Sequence, residues 1–94
     1  MHVHVLTVEL HLPGCSSLKE KRGRLKPLLA ALHQKFNVSA AEIEHQDVHQ
    51  SAVLACAVVS NSNKHGNQVL AGIPDWIEHR FPDLQIVDDH ISPW

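Results

Sequence analysis

Eight consecutive residues, Ala52-Val53-Leu54-Ala55-Cys56-Ala57-Val58-Val59, carry no polar side chain. Successive side chains of a strand point to opposite faces, so this run is apolar on both. That is the pattern of a central strand covered on each side. It constrains the fold more than any other stretch, because the chain must supply flanking strands and a covering layer of helices.

Those elements can be read around it. Residues 2 to 12 alternate, with Leu6, Val8, Leu10 and Leu12 on one face and Val5, Thr7, Glu9 and His11 on the other. His2 and His4 share the side of Leu6, which predicts that the first residues extend past the core. Pro13-Gly14 is a turn, and Ser17 followed by Glu20 reads as a capping box at a helix start. Leu18, Leu25, Leu28, Leu29, Leu32 and Phe36 then follow the spacing of one buried stripe, which predicts a helix from Leu18 to about Phe36. Pro27 crowds the carbonyl of Gly23, so the spacing predicts a kink near Arg22 to Lys26 without a break. Asn37 is the stop.

Val38 to His45 reads as a second strand and Gln46 to Gln50 as its turn. After the central run, Ser60-Asn61-Ser62-Asn63 offers caps for a second helix over roughly 63 to 80. Val69, Leu70, Ile73, Trp76, Ile77 and Phe81 supply its apolar face, although Gly66, Gly72 and Pro74 weaken it. Pro82-Asp83 ends that helix. Leu84 to Val87 forms the last strand, with room to reach Ile91. The order β-α-β-β-α-β, with right-handed crossovers, gives an α+β, ferredoxin-like sandwich: a four-stranded antiparallel sheet with two helices on one face. Strands one and three lie in its middle.

The chain of 94 residues is 44% hydrophobic and makes a single domain, 1–94. A formal charge of −2 argues against a general nucleic-acid coat, so any such binding must come from a local patch. Cys15 and Cys56 fit neither a zinc nor a disulfide framework. With no membrane-length apolar run and no signal-peptide pattern, the expectation is a reduced, cytoplasmic protein without a membrane partner.

The candidate site is the first helix start. Lys19, Lys21, Arg22, Arg24 and Lys26 place five cations there, beside the free N–H groups of the first turn and the Ser17 cap. A solvated helix face is the plain alternative. The chemical reading is an RNA- or anion-binding surface of Ser17, Lys19, Lys21, Arg22, Arg24 and Lys26, reading phosphates and not bases. His45-Gln46-Asp47-Val48-His49 could hold a metal, but a hairpin closed by Asp47 and Gln46 explains it as well. Cys15 before a helix start could be a stabilised thiolate, yet a packed loop cysteine is the simpler account. Cys56 is core, and Asp88-Asp89-His90 an exposed strand end. No catalytic group and no cofactor emerge.

Several segments also resemble a known family, the YlxP-like proteins, which are small bacterial domains of unknown function. They are Val8-Glu9-Leu10-His11-Leu12-Pro13-Gly14, Ser17-Leu18-Lys19-Glu20-Lys21-Arg22, Phe36-Asn37-Val38-Ser39, Ala41-Glu42-Ile43-Glu44-His45-Gln46-Asp47 and Val58-Val59-Ser60-Asn61. The resemblance implies a ferredoxin-like fold and no known catalytic activity. Its genes commonly neighbour those of translation initiation and ribosome maturation factors, which implies RNA or a ribosome-associated protein as partner. Gly23 and Pro27 depart from the family's usually regular helix, and His49 stands where it tends to carry a large aromatic.

Two functional classes follow. One is a non-enzymatic binding module that contacts RNA or a ribosome-associated partner through the first helix. The other is a homodimer, joined through the open sheet face, that binds a metal ion or small ligand through the His-rich loops or the subunit interface. The dimer is motivated by strand three, whose outward residues would leave a bare apolar patch.

Overall fold

A computed structural model describes all residues from Met1 to Trp94. Four strands, β1 (His2–His11), β2 (Ser39–Glu44), β3 (Ser51–Ser60) and β4 (Gln85–Pro93), form one antiparallel sheet in the order β2-β3-β1-β4. Three helices, α1 (Leu18–Phe36), α2 (Asn63–Ala71) and α3 (Ile73–Arg80), complete the chain. The apolar run is the central strand β3, and β1 lies beside it, as its pattern requires.

Register explains the core. Leu6 pairs with Cys56, Val8 with Leu54 and Leu10 with Ala52, and all six are buried under the helices. Leu25, Leu28 and Leu32 of α1, Leu70 of α2, and Ile73 and Ile77 of α3 close the layer above them. Burial of each such aliphatic side chain stabilises the fold by about 1.5–3 kcal/mol relative to leaving it in water. Phe36, Trp76 and Phe81 join the far end of α1 to α3 edge-to-face, with ring centroids 5.2 and 5.9 Å apart.

Three details differ from the sequence expectation. The second helix is two. Pro74 lacks the N–H that would bond Leu70 O, so Gly72 N–H takes that carbonyl and α3 starts afresh. By contrast α1 runs through Pro27 as one helix of 19 residues and stops at Asn37, whose φ of 53° is left-handed. The last strand is longer, because β1 pairs with it as far as Pro93. Only Met1 and His2 of the first residues are exposed, so the strand passes the core by less than expected. His2 already pairs with Ser60, and His4 is 2% exposed, its Nε2 2.6 Å from Asn63 Oδ1. Gly66 of α2 makes room for that ring, since a Cβ there would stand 2.7 Å from His4 Nδ1. No helix is long and apolar enough to cross a membrane.

Candidate anion-binding site

The start of α1 is capped by two neighbours of the turn. Ser17 Oγ accepts from Glu20 N–H at 3.0 Å. Glu20 Oε2 accepts from Ser16 N–H at 2.9 Å and from Ser16 Oγ at 3.1 Å. The reciprocal half of the box therefore goes to Ser16, one residue earlier than the sequence motif implies. The Ser16 backbone bond, its side-chain bond and Arg24 together lower the Glu20 pKa. Ser17 is thus committed to capping.

The five cations divide three ways. Lys21 is a correction to the sequence reading: at 1% exposure it faces the core and offers nothing to an external anion. Its Nζ donates to His45 O at 2.6 Å and Val48 O at 2.8 Å, and lies 2.6 Å from Glu42 Oε2 in the fold's one ion pair. That carboxylate oxygen has no hydrogen-bond partner besides this pairing. Arg24 is also committed, donating from Nη1 to Pro13 O at 3.0 Å and from Nη2 to Asp83 O at 2.9 Å. Lys19, Arg22 and Lys26 remain exposed, with no carboxylate within ion-pair distance. Their spacing of three and four residues sets them along one side of α1, over about 10 Å of helix axis.

Beside Arg22 and Lys26 runs a groove of about 290 Å³, lined by these two, Leu25, Leu29 and Glu42. It lies between α1 and the edge strand β2. Sequence reasoning missed Glu42 and assigned Leu25 and Leu29 to the core alone. A signal existed for Lys21, which falls in phase with Leu18, Leu25, Leu28 and Leu32.

Lys21 also explains why two separately noted stretches meet. Gly14, Cys15 and Ser16 face Asp47, Val48, His49 and Gln50 across an open cleft of about 560 Å³. Cys15 is buried, its Sγ 3.6 Å from Ser17 O. Burial pushes the Cys56 thiol up to about 11. His45 Nδ1 is 2.9 Å from Ser51 Oγ and closes the hairpin. No group of three or more His, Cys, Asp or Glu side chains gathers closely enough to hold a metal ion, so His45, Asp47 and His49 do not form one.

Four antiparallel strands in this order, with helices over one face, define a ferredoxin-like α+β domain. A de novo designed protein with ferredoxin fold superposes on 100% of this chain and 84% of its own, with a TM-score of 0.61 at 9% identity. That likeness shows the fold alone. Residues 3–91 match the family described as protein of unknown function DUF503, and the chain belongs to that family. Among its relatives is the uncharacterized protein YlxP of Bacillus subtilis (strain 168), 39% identical over 69 residues. The matched stretch covers 73% of this chain and 74% of that relative.

Proposed function

We propose that this chain is a non-enzymatic binding module that holds the phosphate backbone of RNA on the outer face of α1. The observation that carries it is the row of Lys19, Arg22 and Lys26, exposed and without carboxylate partners while the other two cations of the cluster are spent internally. Unpaired cations on a rigid helix retain their full attraction for a polyanion, and they read charge and not sequence. With a net charge of −2, the attraction must come from a local patch of this kind and not from the chain as a whole. The test is RNA affinity as a function of salt. Three phosphate contacts on a single strand give a slope of log K against log salt of about −2. Lys19→Glu with Arg22→Glu should abolish the binding; unchanged affinity in the double variant, or none in the wild type, refutes the reading.

A compatible second reading is a homodimer through the outer sheet face. Register puts Val5 beside Ala57, and Val3 beside Val59, which is 67% exposed. Ala41 and Ala55 form the next row. Ser39, Glu44, Asp88, His90 and Ser92 surround these at the sheet edges. Thr7 and Glu9 of β1 share this face, opposite Ala55 and Val53, so a two-fold contact here would be modest and partly wet, and it would leave α1 free. Light scattering at micromolar concentration tests it, and a mass near the 10.5 kDa of one chain refutes it.

A further inference from the structure

The groove beside the α1 cations narrows the kind of RNA. Its floor is Leu25 and Leu29, its rim carries Arg22 and Lys26, and its volume is about 290 Å³. Resting on the backbone-binding reading above, we propose that this groove receives one unstacked base of single-stranded RNA, while Lys19, Arg22 and Lys26 hold the adjoining phosphates.

Three features support this occupant. A volume just below the range of small-molecule pockets suits a single flat, largely apolar plate. Arg22 at the rim offers a guanidinium plane on which a base can stack. Glu42 at the wall does not repel the phosphates, because Lys21 neutralises it 2.6 Å away; its carboxylate can accept from an exocyclic amino group. A duplex cannot use such a site, since its bases are stacked inside and side chains do not enter the deep groove of A-form RNA.

The edge of β2 disfavours the other extended polymer, a peptide adding as a strand. Its pairing with β3 shifts register between Glu42 and Glu44, which leaves only Ser39 to Glu42 regular. The edge then ends in carboxylates, a pattern that blunts strand addition. Charge complementarity therefore selects a polyanion, and the apolar floor selects one with flat faces.

The experiment measures fluorescence anisotropy of the intact chain at low salt. The probes are a labelled mixed-sequence RNA of about 12 nucleotides and the same strand annealed to its complement. The single strand is expected to bind about tenfold more tightly. Leu29→Ala should remove most of that preference while leaving duplex affinity unchanged. A strand carrying 2-aminopurine should brighten on binding to the wild type, because the base leaves its stack; this readout needs no variant. Equal affinity for single strand and duplex overturns the proposal, as does a folded Leu29→Ala that keeps the preference, or an unchanged 2-aminopurine signal. Displacement of RNA by polyglutamate of matched charge overturns it in favour of an acidic protein partner. Loss of all RNA binding in the wild type would remove the backbone reading as well, so the two failures are distinguishable.

Discussion

Replacing Lys21 with Met tests the division of labour on α1. The ammonium has three oxygen partners, at 2.6, 2.6 and 2.8 Å, and is 1% exposed. Breaking a fully buried ion pair by removing one partner costs about 3–5 kcal/mol. Here the cost is lower. Glu42 keeps 20% side-chain exposure and can recover some hydration. His45 and Val48 lie in an exposed turn, so their freed carbonyls can turn to water. Met preserves most of the stem's packing. A loss of about 2–3 kcal/mol is therefore expected, since hydrogen bonds to charged groups contribute about 1.5–3 kcal/mol each before that relief. With a urea slope of about 1.5 kcal/mol/M, the unfolding midpoint should fall by about 1.5–2 M. Adding Glu42→Gln to Lys21→Met should cost less than Glu42→Gln alone, with a coupling of about 1 kcal/mol. A loss below about 0.5 kcal/mol would refute the buried tie. Measured below its unfolding transition, the variant should bind RNA within about twofold of wild type, as expected for a residue that touches no phosphate. A drop as large as that of Arg22→Glu would show that Lys21 reaches the solvent face.

The other predictions concern packing and titration. Gly66→Ala should destabilise by about 1–3 kcal/mol through contact with His4, whereas an open helix site would gain about 1 kcal/mol from the same change; a stabilised variant contradicts the close packing. The Cys56 thiol is raised from 9.0 to about 11, so the folded state holds its proton more tightly than the unfolded one. Its contribution is complete below about pH 9 and drains away between pH 9 and 11, a loss that Cys56→Ala should abolish in urea midpoints; an unchanged pH profile in the variant contradicts this. Glu20 works in the opposite sense, because its pKa is lowered. Its contribution stands above the ordinary carboxyl range and is lost as pH falls through the lowered value, an acid sensitivity that Glu20→Gln should remove; persistence of that sensitivity would reject the Ser16 contact as its cause.

Most of the fold was legible because period and position agree. A run apolar on both faces had to be central, and alternation in residues 2 to 12 identified the inward side of its neighbour. What misled were polar residues in apolar phase. His4 stands in line with Leu6 and Val8, yet two histidines on one strand face read as a strand end extending past the core; only Asn63 and Gly66, some sixty residues away, make its burial tolerable. Lys21 likewise sits in phase with Leu25 and Leu28. Without Glu42 and the hairpin carbonyls in view, a lysine amid other cations reads as one more surface charge. Pro74 reads in the sequence as a weakness of the second helix, but whether packing holds or divides that helix is decided by tertiary contacts. The groove was illegible for a related reason: Leu25 and Leu29 look like core in any helical pattern, and the open edge of β2 appears only once the sheet order is known.

One helix therefore serves three neighbours. Leu25, Leu28 and Leu32 hold it to the sheet, which fixes its rotation. That rotation turns Lys21 inward, where it closes the β2–β3 hairpin and cancels the charge of Glu42. It also sends Arg24 toward Pro13 and Asp83, tying the entry turn to the loop before β4. The remaining cations are left on the side that overlooks the edge strand. Had Lys21 stayed on the surface, Glu42 would stand unneutralised in the groove and repel the polyanion that Arg22 and Lys26 attract. The buried pair thus acts on the binding face by neutralising a charge on the groove wall that would oppose the polyanion.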